Sequence, residues 1–126
     1  MPMEKQKMSK KATISYYVMV TFDITVGDKS NIYGEVSELL DNNGLKKDFD
    51  GNELPENVYF GSRNAVVTYE GEVLTQQDIK NRGAQITKRY YKLLSDYFSS
   101  NKIKCKIFIT ASRKMTSAIR YTLTKK

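Results

Sequence analysis

The sequence contains no histidine and no tryptophan, and it has one cysteine and two prolines. Without histidine the chain lacks the side chain that ordinarily titrates near neutral pH and the commonest transition-metal ligand. Zinc catalysis, Ser-His-Asp chemistry and Cys-His chemistry are set aside on that ground. Any catalysis has to use carboxylates, with Mg²⁺ as the natural cofactor, or Lys, Tyr and Arg. A lone cysteine, Cys105, cannot form an intramolecular disulfide, which suits a reducing cytosol and a cytoplasmic location. We expect it to be buried and inert. No apolar run approaches the roughly 18 residues that cross a bilayer, so no membrane partner is expected. The N-terminal stretch has charge but no apolar segment behind it. It reads as a basic flexible arm over residues 1–12 rather than a secretory signal, with 13–126 as a single domain.

Acid is scarce in one half of the chain. From Lys80 to Lys126 there are thirteen Lys or Arg and one acid, Asp96. From Ala12 to Ile79 the balance reverses, with twelve acids against four bases. The net charge of +7 is therefore segregated, and a basic half is the electrostatic footprint of a polyanion partner, most often nucleic acid. The plainer reading is a solvated face that keeps the protein in solution.

What is present is mostly pattern. Ile14, Tyr16, Val18, Val20, Phe22, Ile24 and Val26 alternate with Ser15, Tyr17, Met19, Thr21, Asp23 and Thr25, the period of a strand with one buried face. Gly27-Asp28 ends it, and Asp28 or Ser30 can cap a helix that carries Ile32, Tyr33, Val36, Leu39 and Leu40 on one side. Asn42-Asn43-Gly44 stops that helix. A short strand is expected around Leu45 to Phe49, then an Asp50-Gly51 turn. Strand-like sequence from Asn57 to Tyr69 is interrupted at Gly61-Ser62-Arg63-Asn64, as a bulge or as a turn between two strands.

Thr75 and Asp78 form a capping box ahead of a long helix reaching about Ser99. Its stripe is Ile79, Ile86, Tyr90, Leu93, Leu94 and Tyr97, with Gly83 beside it. Lys80, Lys88 and Lys92 lie opposite, and Arg82 and Arg89 lie at the side. Lys104 to Ser112 alternates again, and Ile119, Tyr121 and Leu123 are candidates for an extra C-terminal strand. The order β-α-β-β-α-β is the split βαβ, ferredoxin-like arrangement, an antiparallel sheet with two helices on one face. Its other face would show Tyr17, Met19, Thr21 and Asp23 beside Lys104, Lys106 and Phe108.

That mixture of aromatics and lysines suits RNA, because bases stack on rings while cations neutralise phosphates. It equally suits a dimer interface. Arg63 stands in the third strand region. Arg113, Lys114 and Arg120 follow the last core strand, and would join Lys88, Arg89 and Lys92 in a phosphate track if the tail folds back toward the helix. Asp23, at the end of the first strand, is either a strand-ending surface acid or, with its copy across a dimer, a Mg²⁺ ligand for phosphodiester cleavage.

The strand Tyr17-Val-Met-Val-Thr-Phe-Asp-Ile24 followed by an amphipathic helix resembles the opening of a ferredoxin-like superfamily. It comprises the small CRISPR-adaptation nucleases, the VapD toxins and the GhoS-type antitoxin endoribonucleases. Glu53-Leu-Pro-Glu-Asn-Val-Tyr-Phe-Gly61 is similar to a stretch in some GhoS-like sequences. The resemblance implies a homodimer, an RNA-binding or endoribonuclease role in phage defence or mobile-element biology, and Asp23 as the metal-binding carboxylate. The long basic helix and basic tail depart from that pattern. Three readings follow: a nucleic-acid-binding protein with or without metal-dependent cleavage, a non-enzymatic inhibitor, antitoxin or adaptor that binds a protein or sequesters a nucleotide signal, and a structural subunit.

Overall fold

A computed structural model describes residues 9–26 and 32–124, with the backbone alone at Val26. The basic leader through Met8, the Gly27-Asp28 turn and the caps expected at Asp28 or Ser30 lie outside the described residues. Element order is β1 (Lys10–Val26), α1 (Ile32–Asp41), β2 (Asp48–Phe49), β3 (Asn52–Glu53), β4 (Val58–Tyr69), α2 (Gln76–Ser100) and β5 (Lys104–Arg113), closed by a short 3₁₀ turn over Lys114–Thr116. The first strand starts at Lys10, so residues 10–12 belong to β1 and not to a leading arm.

β1 is the centre of a three-stranded antiparallel sheet ordered β4-β1-β5. Outside β4, the expected strand at 45–49 is reduced to one bridge, Lys46 to Phe60, and the two-residue β2. β2 and β3 join through Asp50 and Gly51, both with positive φ (53° and 80°), the conformation that a two-residue hairpin turn demands. Sheet order and helix placement match the ferredoxin-like split βαβ arrangement.

The alternation in β1 works as its sequence implies. Ile14, Tyr16, Val18, Val20, Phe22 and Ile24 are all buried under the helices. Phe22 gathers the rings of Tyr33, Tyr59 and Phe98 at centroid distances of 5.5, 5.8 and 5.6 Å. Burying side chains of this size is worth about 1.5–3 kcal/mol each before the entropy of ordering them. α1 contributes Ile32, Val36 and Leu40, and ends in Gly44 at φ 88°. α2 begins with the full Thr75–Asp78 capping box. Its buried stripe is Ile79, Gly83, Ile86, Tyr90, Leu94 and Phe98, while Leu93 and Tyr97 are half-buried at its margin.

Three expectations need correction. β4 is not interrupted at Gly61–Asn64, because all twelve of its residues pair with β1 in unbroken register. Gly61 serves close approach instead, since a Cβ there would overlap the carbonyl oxygen of Gly44 where the chain leaves α1. The C-terminal residues 117–124 form no strand. Beyond the 3₁₀ turn they run back to the hairpin, where the Thr124 N–H donates to Asn52 Oδ1 (2.7 Å) and the Glu53 N–H donates to Thr124 Oγ1 (2.8 Å). Cys105 is half-buried rather than buried, because it lies on an outer strand only partly covered by α2. Burial still pushes its thiol up from the ordinary value, with Asp23 adding smaller opposed effects.

Candidate nucleic-acid interface

The face of the sheet away from the helices is not bare. Around Tyr17 it is covered by the chain itself. Tyr17 meets Phe60 and Phe49 at 5.0 and 6.1 Å between ring centres, Phe49 meets Tyr121 of the tail at 4.9 Å, and Lys114 Nζ lies 5.4 Å from the Tyr17 ring centre. Tyr17 and Lys114 are thus engaged in an internal aromatic cluster. Farther along this face Asp23, Lys104, Lys106 and Phe108 are exposed, while Met19 and Thr21 are half-buried. Asp23 stands directly opposite Lys106 in the ladder. Among the described residues no group of three or more Cys, Asp or Glu is placed to hold a metal ion. One carboxylate facing a lysine supplies a single ligand with a repelling cation beside it, so the described residues at this end of β1 do not fit Mg²⁺.

The basic residues expected to share a phosphate track separate. The tail crosses the face opposite the helices, which takes Lys114 and Arg120 away from α2. Arg113 remains on the helix side of β5, at a cleft it shares with Lys80. Lys88 projects from the exposed side of α2.

Arg63, Arg89 and Lys92 come together. Arg63 is paired with Tyr16 in the β1–β4 ladder, which turns it to the helix side. Its Nη1 donates to Tyr90 Oη (3.1 Å), the guanidinium lies 5.8 Å from the Tyr90 ring centre, and Tyr90 Oη in turn donates to the Asn43 carbonyl (2.7 Å). Arg82, which the sequence placed merely at the side of the helix, completes the group. Its Nε donates to the Val66 carbonyl on the outer edge of β4 (3.1 Å), and its Nη1 donates to Gln85 Oε1 (3.1 Å). Arg82 and Arg89 are seven residues apart, two turns of one helix face. That spacing was the available signal for Arg82.

Between α2 and the outer edge of β4 these side chains line a trough. Its middle is a hollow of about 280 Å³ walled by Arg63, Arg82 and Arg89. One neighbouring hollow shares Arg63, Arg89 and Tyr90 with it and adds Lys92, and another shares Val66, Arg82 and Gln85 and adds Lys11. Two acids border the trough and both are committed. Asp78 accepts from Thr75 in the helix cap, and Asp96 accepts from Lys92 Nζ at 3.0 Å. Among the described residues, no acid pairs with Arg63, Arg82 or Arg89. Each guanidinium has five N–H donors, so most remain available.

No described helix is long and apolar enough to cross a membrane. No protein-family model, curated protein or solved structure matches the chain. The ferredoxin-like assignment stands on the order and pairing of its own elements.

Proposed function

We propose that this protein binds single-stranded nucleic acid, RNA foremost, along the trough between α2 and β4. One observation carries the reading: three arginines with no acidic partner among the described residues converge in a recess beside a fourth cation, Lys92. Guanidinium forks match phosphate geometry and exchange condensed counterions for direct contacts. The cations lie in a recess and not on a protruding helix or ribbon, which suits a flexible single backbone over the grooves of a duplex. The Gln85 amide accepts from Arg82 and keeps its own N–H₂ for a ribose hydroxyl.

Cleavage forms no part of this reading. The endoribonuclease role that the resemblance implies needs further carboxylates around Asp23, and among the described residues no such group surrounds it. Binding needs no such group, and every side chain in the trough comes from one chain.

Fluorescence anisotropy with a labelled oligoribonucleotide, its DNA counterpart and a duplex tests the proposal across a salt series. Affinity for the single strands should fall steeply with salt, and Arg89→Ala should flatten the log–log slope by about 0.7, the value for one lost phosphate contact. An unchanged slope in both Arg89→Ala and Arg82→Ala would move the site elsewhere.

A further inference from the structure

β5 is an outer strand of the sheet, and most main-chain groups on its far edge have no partner among the described residues. The bridge to Lys46 shows that Phe60, and with it the even-numbered residues of β4, turn their N–H and C=O away from β1. Odd-numbered β4 residues therefore bond even-numbered β1 residues. Odd-numbered β1 residues then bond their β5 partners: Tyr17 with Ser112, Met19 with Thr110, Thr21 with Phe108 and Asp23 with Lys106. The main-chain groups left pointing outward belong to Cys105, Ile107, Ile109, Ala111 and Arg113. The Arg113 carbonyl accepts from the Ser117 hydroxyl at 2.7 Å, which fits this alternation. Among the described residues no backbone bond reaches the other four from outside the strand.

The surroundings of this edge define what would pair with it. On the helix side Ile107, Ile109 and Ala111 are only half-buried. Ile109 and Ala111 border a cleft of about 540 Å³ under α2, which Tyr16, Ile79, Gly83, Lys80 and Arg113 also line. On the other side stand Lys104, Lys106 and Phe108, the last 59% exposed. β5 contains three cations and no acid.

We propose that the outer edge of β5 accepts an extended segment of a partner protein in which apolar residues alternate with Asp or Glu. The segment adds a strand to the sheet. Its N–H and C=O groups meet those of residues 105 to 111, its apolar side chains enter the cleft, and its acids face Lys104 and Lys106. A phosphate backbone does not satisfy this edge, because it brings acceptors and leaves the outward carbonyls unmet. A second copy of β5 is disfavoured by charge. Two copies would bring Lys104, Lys106 and Arg113 of each strand together with no acid on either, and lysines along an edge oppose self-pairing.

The test uses the full chain and labelled heptapeptides of alternating valine and glutamate, of valine and lysine, and the glutamate peptide N-methylated at alternate residues. The glutamate peptide should bind and should slow hydrogen exchange at the amides of Ile107, Ile109 and Ala111. N-methylation should weaken it about tenfold or more, since main-chain bonds carry such pairing. The surface double variant Lys104→Glu/Lys106→Glu should reverse the preference between the two charged peptides. Equal binding of the N-methylated peptide, equal binding of the lysine peptide, or no binding would overturn the proposal. So would sedimentation showing a dimer in which these amides are already protected. Arg89→Ala, which tests the trough, should leave peptide binding unchanged, so the two sites fail independently.

Discussion

The sheet has two outer strands, and the molecule treats them differently. β4's far edge is attended by its own chain, with Lys46 bonding Phe60 from the segment after α1 and Arg82 bonding Val66 from α2. β5's far edge has α2 above it, and among the described residues no backbone bonds to it from residue 105 to residue 111. Both edges are cationic, yet the cations differ in setting. Beside β4 they are arginines held in a recess by Tyr90, Gln85 and a main-chain carbonyl. Beside β5 they are the exposed Lys104 and Lys106, with Arg113 at the cleft under α2. Fixed guanidinium forks suit phosphates, whereas free main-chain groups flanked by mobile ammonium groups suit an acidic strand.

The largest effect that would erase this contrast comes from Gly61→Val. The new side chain overlaps the Gly44 carbonyl and pushes the Gly44–Lys46 segment off β4. We expect a loss of about 3 kcal/mol, the upper range for overpacking against backbone, measured by urea unfolding. Faster exchange at the Phe60 amide would show that the covered edge has opened. Full stability in this variant would mean that the contact is not tight.

Tyr16→Phe acts nearer β5. The Tyr16 hydroxyl donates to the Ile79 carbonyl at 2.6 Å and ties β1 to the first turn of α2. Its removal should cost about 1 kcal/mol, as for a typical buried hydrogen bond. RNA affinity, read at the other edge, should stay as it was. Burial raises the Tyr16 phenol above its ordinary value, with Arg82 and Arg113 offsetting part of the rise. The folded state therefore resists ionisation that the unfolded chain accepts. That contribution is complete below a pH of about 10 and is lost as pH climbs through the raised folded value. Alkaline unfolding monitored by circular dichroism should begin later in Tyr16→Phe, relative to its stability at neutral pH, than in the unaltered chain.

The smallest effect concerns Asp96→Asn. It breaks an exposed pair with Lys92, worth about 0.3–0.5 kcal/mol at this helical spacing. It also frees a cation at the mouth of the trough. Stability should barely move while RNA affinity at low salt rises slightly, and a fall in affinity would contradict the trough as the binding site.

Local chemistry announces itself in the sequence wherever one residue type meets one backbone requirement. The β1 alternation, the Thr75–Asp78 cap, the Asp50-Gly51 turn and Gly44 as helix terminator are all of this kind. Gly61 misleads for the same reason. A glycine inside strand-like sequence signals either a break or a close approach, and the neighbour that decides between them, Gly44, lies seventeen positions earlier in the chain. Phe98, left out of the expected α2 stripe, follows Leu94 by four positions on the same face and is buried against the Phe22 ring.

The candidate site was half legible. Charge segregation pointed to α2, but a run of basic residues does not say which of them share a recess. The tail could have approached either face of the sheet, and the 3₁₀ turn at Lys114–Thr116 sends it away from α2, with Ser117 bonded back to Arg113. That single change of direction dismantled the imagined alignment of Arg113, Lys114 and Arg120 with Lys88, Arg89 and Lys92. It also covered Tyr17.

The amino-acid order alone determined the period of each element, its caps and turns, and the sign of charge in each half, because these depend on neighbours within a turn or a strand pair. Tertiary structure decided which arginines converge, which face the tail covers and which sheet edge the segment after α1 bonds. Those outcomes depend on contacts between residues far apart in sequence, such as Arg82 with Val66 and Tyr121 with Phe49, whose partners no local pattern specifies.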